Sequence, residues 1–372
     1  MPWLGTILVA GGAALGRLVA VHLLPTAVLA LVVWVTVHAR AFDNATKGLH
    51  WRDLFTNFQV DTGGVLLFIV ALFVFAALLQ PFDVTAVRLL EGYWEGSRVG
   101  DTAANLFASR HRRRVRKADS ALQAEGALEL KRNREKSSKG NGQDDEQDMP
   151  VDEQANMCCE EWLIGQRADR ARRLRPKYPP RVDEVLPTML GNVLRTAERR
   201  AGERYYLPTV ETLARVYQHL SERLGVAYDA SVDTLDAAAM MTISTAAAAV
   251  VSAAAFYDDP GLRWVPVALA VTSALSYRGA VVAAAQYGMY MDIAYDFHRF
   301  DLIKALHLDL PANTDQEYEM NDKLEEFWKA NNAKDAQVVW REINYWHYED
   351  NGRPDTSSRA TDDERPHSPG YL

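Results

Sequence analysis

Residues 264–310, WVPVALAVTSALSYRGAVVAAAQYGMYMDIAYDFHRFDLIKALHLDL, decide the fold. The first half of this stretch is apolar and rich in alanine, and it is long enough to cross a bilayer, which requires about 20 helical residues. The second half is polar from Asp292 onward, and no glycine or proline strong enough to end a helix separates the two halves. We therefore expect one continuous helix that leaves the membrane and enters the cytoplasm.

Three further segments are apolar over a similar length, namely residues 18–37, 63–79 and 235–256. The tight turn at residues 257–261, YDDPG, joins the last of them to the apolar half of the opening stretch, residues 264 to about 286. No alternating strand pattern of useful length is present. The sequence predicts an all-α membrane protein with four transmembrane helices, a cytoplasmic helical domain and a C-terminal helical region.

The distribution of basic residues predicts the topology. Residues 110–117, RHRRRVRK, follow the second apolar segment, whereas the turn at residues 257–261 carries two aspartates. The positive-inside rule places the long central segment in the cytoplasm, and with it both chain termini. The formal net charge of −8 conceals this separation of basic and acidic segments.

The composition between the spans predicts the remaining organisation. The polar, low-complexity residues 137–156 are expected to form a disordered loop, and residues 82–136, 157–174 and 207–224 are expected to be helical. A further helix is expected to open with a capping box at Thr314 and Glu317. The expected parts are an interfacial lead-in at 1–17, transmembrane helices 1 and 2 with an external loop at 18–80, the cytoplasmic domain at 81–234, transmembrane helices 3 and 4 at 235–291, the cytoplasmic C-terminal region at 292–349 and a disordered tail at 350–372.

Small side chains recur at every fourth position of the last two apolar segments. They are Ala268, Thr272, Ser276, Ala280, Ala284 and Gly288 in one, and Ser244, Ala248 and Ser252 in the other. Small residues allow membrane helices to approach closely. The ridge could line a pore or an interface between protomers, or it could pack the hairpin within one protomer. We favour packing within the protomer for the 244–252 ridge, because the short turn holds the two helices together.

Arg278 is a candidate functional residue because a buried arginine is costly in hydrocarbon, about 2.5–3.5 kcal/mol on insertion scales. The alternative is that the span ends at Tyr277, which would make Arg278 an interfacial anchor. Asp292, Asp296 and His298 are further candidates, since two carboxylates one turn apart with a nearby histidine could hold a divalent cation. We favour ion pairing of these carboxylates with Arg299 and Lys304 over a metal site.

Asn192, Arg195 and Glu198 lie three positions apart, so a helix would present them on roughly one face as a structural polar cluster. No Ser/His/Asp or Cys/His arrangement and no HExxH motif accompanies them. The sequence therefore predicts no catalytic residue, no cofactor and no metal, and the protein is not expected to be an enzyme.

The basic run of residues 110–117, from Arg110 to Lys117, admits two main interpretations. It could set the topology as a solvated face, paired with Asp119, Glu125 and Glu129, or it could contact anionic lipid headgroups. We favour the first interpretation and expect no binding of nucleic acid.

Three segments resemble those of uncharacterised bacterial multipass membrane proteins of the actinobacterial type. They are LPTMLGNVLR at residues 186–195, YDFHRFDLIKAL at 295–306 and the region 75–94, which ends in LEGYW. The resemblance implies the bacterial cell (inner) membrane, and it implies no activity.

Two functions follow as hypotheses. The first is a non-enzymatic scaffold or regulatory membrane component that docks a cytoplasmic protein partner or forms a homo-oligomer. The second is an oligomeric channel or transporter lined by transmembrane helices 3 and 4, with Arg278 selecting anions.

Overall fold

In this computed structural model, the described residues are 21, 23–38, 62–79, 83–94, 96, 98–139, 151–257, 261–330 and 337–338, and their regular elements are helical, without a strand. The lead-in, the external loop and the C-terminal tail lie outside the described residues. The helices are α1 (Leu24–His38), α2 (Thr62–Leu79), α3 (Asp83–Glu91), α4 (Arg98–Lys139), α5 (Val151–Leu174), α6 (Met189–Arg200), α7 (Thr209–Tyr217), α8 (Glu222–Ala255), α9 (Trp264–Ala305) and α10 (Thr314–Lys329).

The number of candidate membrane spans is smaller than expected. Among the described residues, two helices, α8 and α9, are long and apolar enough to cross a membrane. Helix α1 has 15 residues, and at about 1.5 Å per residue it is shorter than a hydrocarbon core of about 30 Å. Helix α2 has 18 residues, at the lower end of the required length. The prediction of four spans is corrected to two candidates in the described part of the chain.

The chain forms two compact units. The larger contains residues 1–197 and 226–289, and the smaller contains residues 198–225 and 290–372. The core of the larger unit combines Leu190, Val193 and Leu194 of α6 with Leu235 of α8 and the small side chains Ala280, Ala283 and Ala284 of α9.

The small-residue ridge of α9 is divided between two environments. Ala280 and Ala284 are fully buried, and a Cβ atom added to Gly288 would lie 2.5 Å from the Cβ atom of Ala197. Ala268 and Thr272, in the first half of the ridge, are exposed. The ridge therefore allows α6 to approach α9 within the protomer, but only along its second half.

The ridge of α8 is buried throughout, because Ser244, Ala248 and Ser252 are each at most 4% exposed. The hydroxyl of Ser273 donates a hydrogen bond to the carbonyl oxygen of Thr242 at 2.9 Å, which joins α9 to α8. The burial of the α8 ridge and this contact support packing of the hairpin within one protomer.

Helices α4 and α5 form an antiparallel hairpin whose two arms are joined by ion pairs. Arg175 lies 2.8 Å from Asp119, Arg172 lies 2.5 Å from Glu125, and Arg132 pairs with Glu161. Helix α4 extends to Lys139 and α5 begins at Val151, so both ends of the predicted loop at 137–156 are helical and only residues 140–150 lie outside the described residues.

The smaller unit is organised around Tyr295, which is fully buried. Its hydroxyl donates to the carbonyl oxygen of Thr209 at 3.1 Å and lies 2.7 Å from Oγ1 of Thr212. A second apolar cluster in this unit contains Ile303, Leu308 and Leu324.

Three predicted helix boundaries are wrong. The expected helix 82–136 is broken between α3 and α4, where Gly92 and Gly96 adopt φ values of +98° and +100° that favour glycine. The expected helix 207–224 ends at Tyr217, and α8 then starts at Glu222 behind Ser221, a residue type preferred at helix starts. Asn313, and not Thr314, caps α10 by accepting from the backbone N–H of Gln316 at 2.9 Å.

Candidate functional site

One face of α9 carries an exposed apolar stripe. Its members are Val267, Val271, Leu275, Val282 and Met289, each between 49% and 68% exposed. At about 100° per residue these five positions fall within roughly 80° of one another around the helix axis. Ala280, Ala284 and Met291 are buried on the other side of the helix. Residues 264–279 of α9 include no buried residue, and an exposed apolar stripe of this length indicates a surface that contacts lipid or another chain.

Arg278 lies on this same stripe. It is exposed, and its position around the helix falls between those of Val267 and Leu275. Its side chain forms no ion pair and no hydrogen bond with the described residues. Whether this guanidinium lies within the hydrocarbon or at its edge stays a prediction.

The two carboxylates of the expected polar site are held by arginines that the sequence did not indicate. Asp292 lies 3.1 Å from Arg200 and 3.8 Å from Arg204, and Arg204 is also 3.4 Å from Asp296. The hypothesis of ion pairing is thus supported with different partners, since Arg200 and Arg204 replace Arg299 and Lys304. In the described ranges, no group of three or more His, Cys, Asp or Glu side chains is arranged to hold a metal ion.

Tyr205 joins this cluster although nothing in its sequence context indicated it. Its hydroxyl donates to Oδ1 of Asp296 at 2.5 Å, and the guanidinium of Arg299 lies 4.2 Å from the centre of its ring. Burial, followed by the hydrogen bond to Asp296, raises the pKa of the Tyr205 phenol. Arg299 in turn donates to Glu317 of α10 at 2.8 Å. The arrangement neutralises its own charges and fixes α10 against the end of α9.

His298 does not join the two carboxylates. Its Nδ1 atom lies 3.0 Å from Oδ2 of Asp301, and Lys304 lies 3.4 Å from the other oxygen of that carboxylate. The side chain of His298 therefore belongs to a local hydrogen-bonded group on the last turns of α9.

Asn192 belongs to the predicted polar cluster with Arg195 and Glu198, and its side chain bonds to the segment before α6. Asn192 is fully buried, and its amide donates to the carbonyl oxygens of Leu186 and Thr188 at 2.9 and 2.5 Å. Its Oδ1 atom accepts from the backbone N–H of Leu186 at 2.9 Å. These bonds fix the extended segment before α6, which is a structural role, while Arg195 and Glu198 are half-buried.

The basic run of α4 differs most from expectation. Asp119 and Glu125, two of the acids expected to neutralise it, pair instead with Arg175, which directly follows α5, and with Arg172 of α5. Within the run, Arg112 is half-buried, and the ring of His111 lies against the phenol of Tyr178, with Nδ1 2.7 Å from the hydroxyl oxygen. Most of the positive charge of residues 110–117 therefore faces outward.

The chain was compared with protein-family models, curated proteins and solved structures, and no match was found in any of the three.

Proposed function

We propose that this protein is a non-enzymatic scaffold or regulatory component of the bacterial inner membrane, anchored by the hairpin of α8 and α9. The exposed stripe of Val267, Val271, Leu275, Val282 and Met289 carries this proposal. In water, these side chains would leave an apolar band, interrupted by Arg278, on a helix of 42 residues. In a bilayer the same band is the face that contacts acyl chains.

The α4–α5 hairpin is the element proposed to dock a cytoplasmic protein. It exposes Trp162 at 60% and Leu130 at 63%, and both side chains stand among charged residues. Tryptophan is enriched at the centres of protein interfaces, where it contributes a large share of the binding energy. The basic residues of α4 support a cytoplasmic position for the hairpin, and with it for both termini.

Anchoring is tested by extraction of native membranes with alkaline carbonate. The full chain is expected in the pellet, and replacement of Val271 and Leu275 by Asp is expected to move it to the supernatant. Replacement of Val250, an exposed residue of α8, by Thr serves as the conservative control. Release of the unaltered chain by carbonate would contradict the proposed anchoring.

Docking is tested with a photo-crosslinking residue at position 162 in living cells. A discrete crosslinked band is expected there, and a much weaker one is expected at position 160, which is exposed on a different face of α5. Equal labelling at both positions, or none at either, would contradict a partner at Trp162.

A second candidate function, an oligomeric channel or transporter, is favoured by Arg278. An arginine on an otherwise apolar exposed stripe is costly against lipid, and a pore or an interface between protomers would remove that cost. Reconstituted protein is then expected to conduct anions, and Arg278→Ala is expected to abolish the selectivity. An absence of flux, or flux indifferent to Arg278→Ala, would exclude this function.

A further inference from the structure

A groove with a volume of about 640 Å³ lies between α4 and α5. Two basic residues from each helix line it, Arg114 and Lys117 from α4 and Arg167 and Arg170 from α5. Its floor is apolar, with Ile164, Leu174 and several alanines. A second groove of about 550 Å³ shares Arg114 and Lys117 with the first and is lined in addition by Leu106 and Phe107. Together the two grooves form one continuous basic surface with an apolar floor.

The charge of this surface is not neutralised by the hairpin itself. In the described part of the hairpin, Asp119 and Glu125 are engaged by Arg175 and Arg172, and Asp169 lies 2.9 Å from Arg172. No carboxylate in the described ranges forms an ion pair with Lys117, Arg167 or Arg170. Cations from two helices that converge without an acid create a positive potential that an anion can satisfy.

The apolar side chains beside these cations restrict the kind of anion. Leu106 is 68% exposed and Phe107 is 45% exposed, next to Arg110 and Arg113. A small inorganic anion would leave these side chains in water, whereas the boundary between headgroups and acyl chains accommodates an aromatic or aliphatic side chain beside a cation. Juxtamembrane cations attract anionic headgroups at roughly 1 kcal/mol each.

The geometry points to a binding site for the phosphate-bearing headgroup of an anionic phospholipid in the α4–α5 groove, with Lys117 and Arg170 as its principal cations. Leu106 and Phe107 enter the interfacial layer beside the headgroup. This inference rests on the membrane association proposed above. It concerns a different face from the proposed protein-docking surface, because Trp162 is two positions from Ile164 and so about 200° away around α5.

The test uses the full chain in neutral detergent, titrated with short-chain phosphatidylglycerol, with short-chain phosphatidylcholine and with inorganic phosphate. Phosphatidylglycerol is expected to bind, and the double variant Lys117→Gln, Arg170→Gln is expected to weaken that binding about tenfold or more. The matched control is Arg116→Gln, Arg173→Gln, which removes one exposed cation from each helix outside the groove and is expected to change the affinity less than twofold. A charge-conserving variant, Lys117→Arg, Arg170→Lys, is expected to retain binding.

Several results would overturn the site. Equal weakening by the two neutralising pairs would show a diffuse charge effect, and equal binding of inorganic phosphate would show a free-anion site. Displacement of the lipid by an acidic peptide that binds more tightly, with the same dependence on Lys117 and Arg170, would assign the groove to a protein. Because binding is measured in detergent, it is independent of the carbonate extraction that tests anchoring.

Discussion

The hydroxyl oxygen of Tyr277 lies 3.1 Å from the backbone nitrogen of Met189, the first residue of α6. The same oxygen accepts a second hydrogen bond from the N–H of Leu190 at 3.2 Å. The first N–H groups of a helix lack partners within the helix, so a side chain from α9 here satisfies two of them. Tyr277 and Met189, 88 positions apart in the sequence, are thus joined by a hydrogen bond at the first turn of α6.

Replacement of Tyr277 by Phe is expected to lower the free energy of unfolding by about 1–3 kcal/mol, because two partly buried N–H groups lose their acceptor. The measurement is thermal or denaturant unfolding of the full chain in detergent. Tyr257→Phe is the control, since Tyr257 is 75% exposed and its side chain forms no hydrogen bond with the described residues. A Tyr277→Phe chain as stable as this control would refute the capping role.

Gly191→Ala is expected to destabilise the larger unit by about 1–3 kcal/mol, an overpacking effect. A Cβ atom at this position would overlap the backbone carbonyl oxygen of Glu91, which the neighbouring Thr188 hydroxyl also contacts at 2.8 Å. Gly279→Ala is the matched control, because open space surrounds that glycine. A helical alanine is favoured over glycine by up to about 1 kcal/mol, so the control chain should be no less stable than the parent.

The stability of the larger unit is expected to fall as the pH decreases below about 6.5, the reference pKa of histidine. Burial, together with Arg114 and Arg110, lowers the pKa of His111 in the folded chain. The unfolded chain therefore binds more protons in the window between that lowered pKa and the ordinary value, and protonation there favours unfolding. Above the window the contribution of His111 is constant.

Unfolding temperatures between pH 7.5 and 5.5 measure this effect. His111→Gln, which cannot acquire a proton, is expected to flatten the profile. An unchanged slope in His111→Gln would assign the pH dependence to other groups.

Tyr295→Phe is expected to destabilise the smaller unit by about 1–3 kcal/mol, because the carbonyl oxygen of Thr209 loses a buried donor. Limited proteolysis is the suitable measurement, since opening of this unit exposes sites in residues 198–225. Faster cleavage is expected there and not in α4 or α5. Uniformly faster cleavage along the chain would indicate a general loss of fold instead.

Elements with a strong local signal could be predicted from the sequence. The 42-residue helix α9, the small-residue packing of Ala284 and Gly288, and the all-helical class follow from composition and period alone. The break that we missed between α3 and α4 also carried a signal, because Gly92 and Gly96 stand four residues apart within an otherwise helical pattern. The length of the surrounding helical pattern outweighed these glycines in our interpretation.

Partners in three dimensions could not be predicted. Asp119 is followed by Ser120 and preceded by basic residues at 112–114, 116 and 117, yet its carboxylate pairs with Arg175, 56 residues away. Asp292 likewise pairs with Arg200, which is distant in the sequence. The partner of each carboxylate depends on which helices pack together and not on which residues are neighbours in the sequence. The partners that we expected from nearby sequence positions are therefore wrong at both sites, although these carboxylates do form ion pairs.

The smaller unit is assembled from two separate stretches of chain, residues 198–225 and 290–372. Its buried Tyr295 lies in the second stretch, while Thr209 and Thr212, to which it bonds, lie in the first. Translation therefore delivers the shorter stretch of this unit before α8 and the longer stretch only after the first part of α9 has been made. A ribosome that stops at residue 289 would leave the shorter stretch without its partner, so this unit can form only after most of the protein has been synthesised.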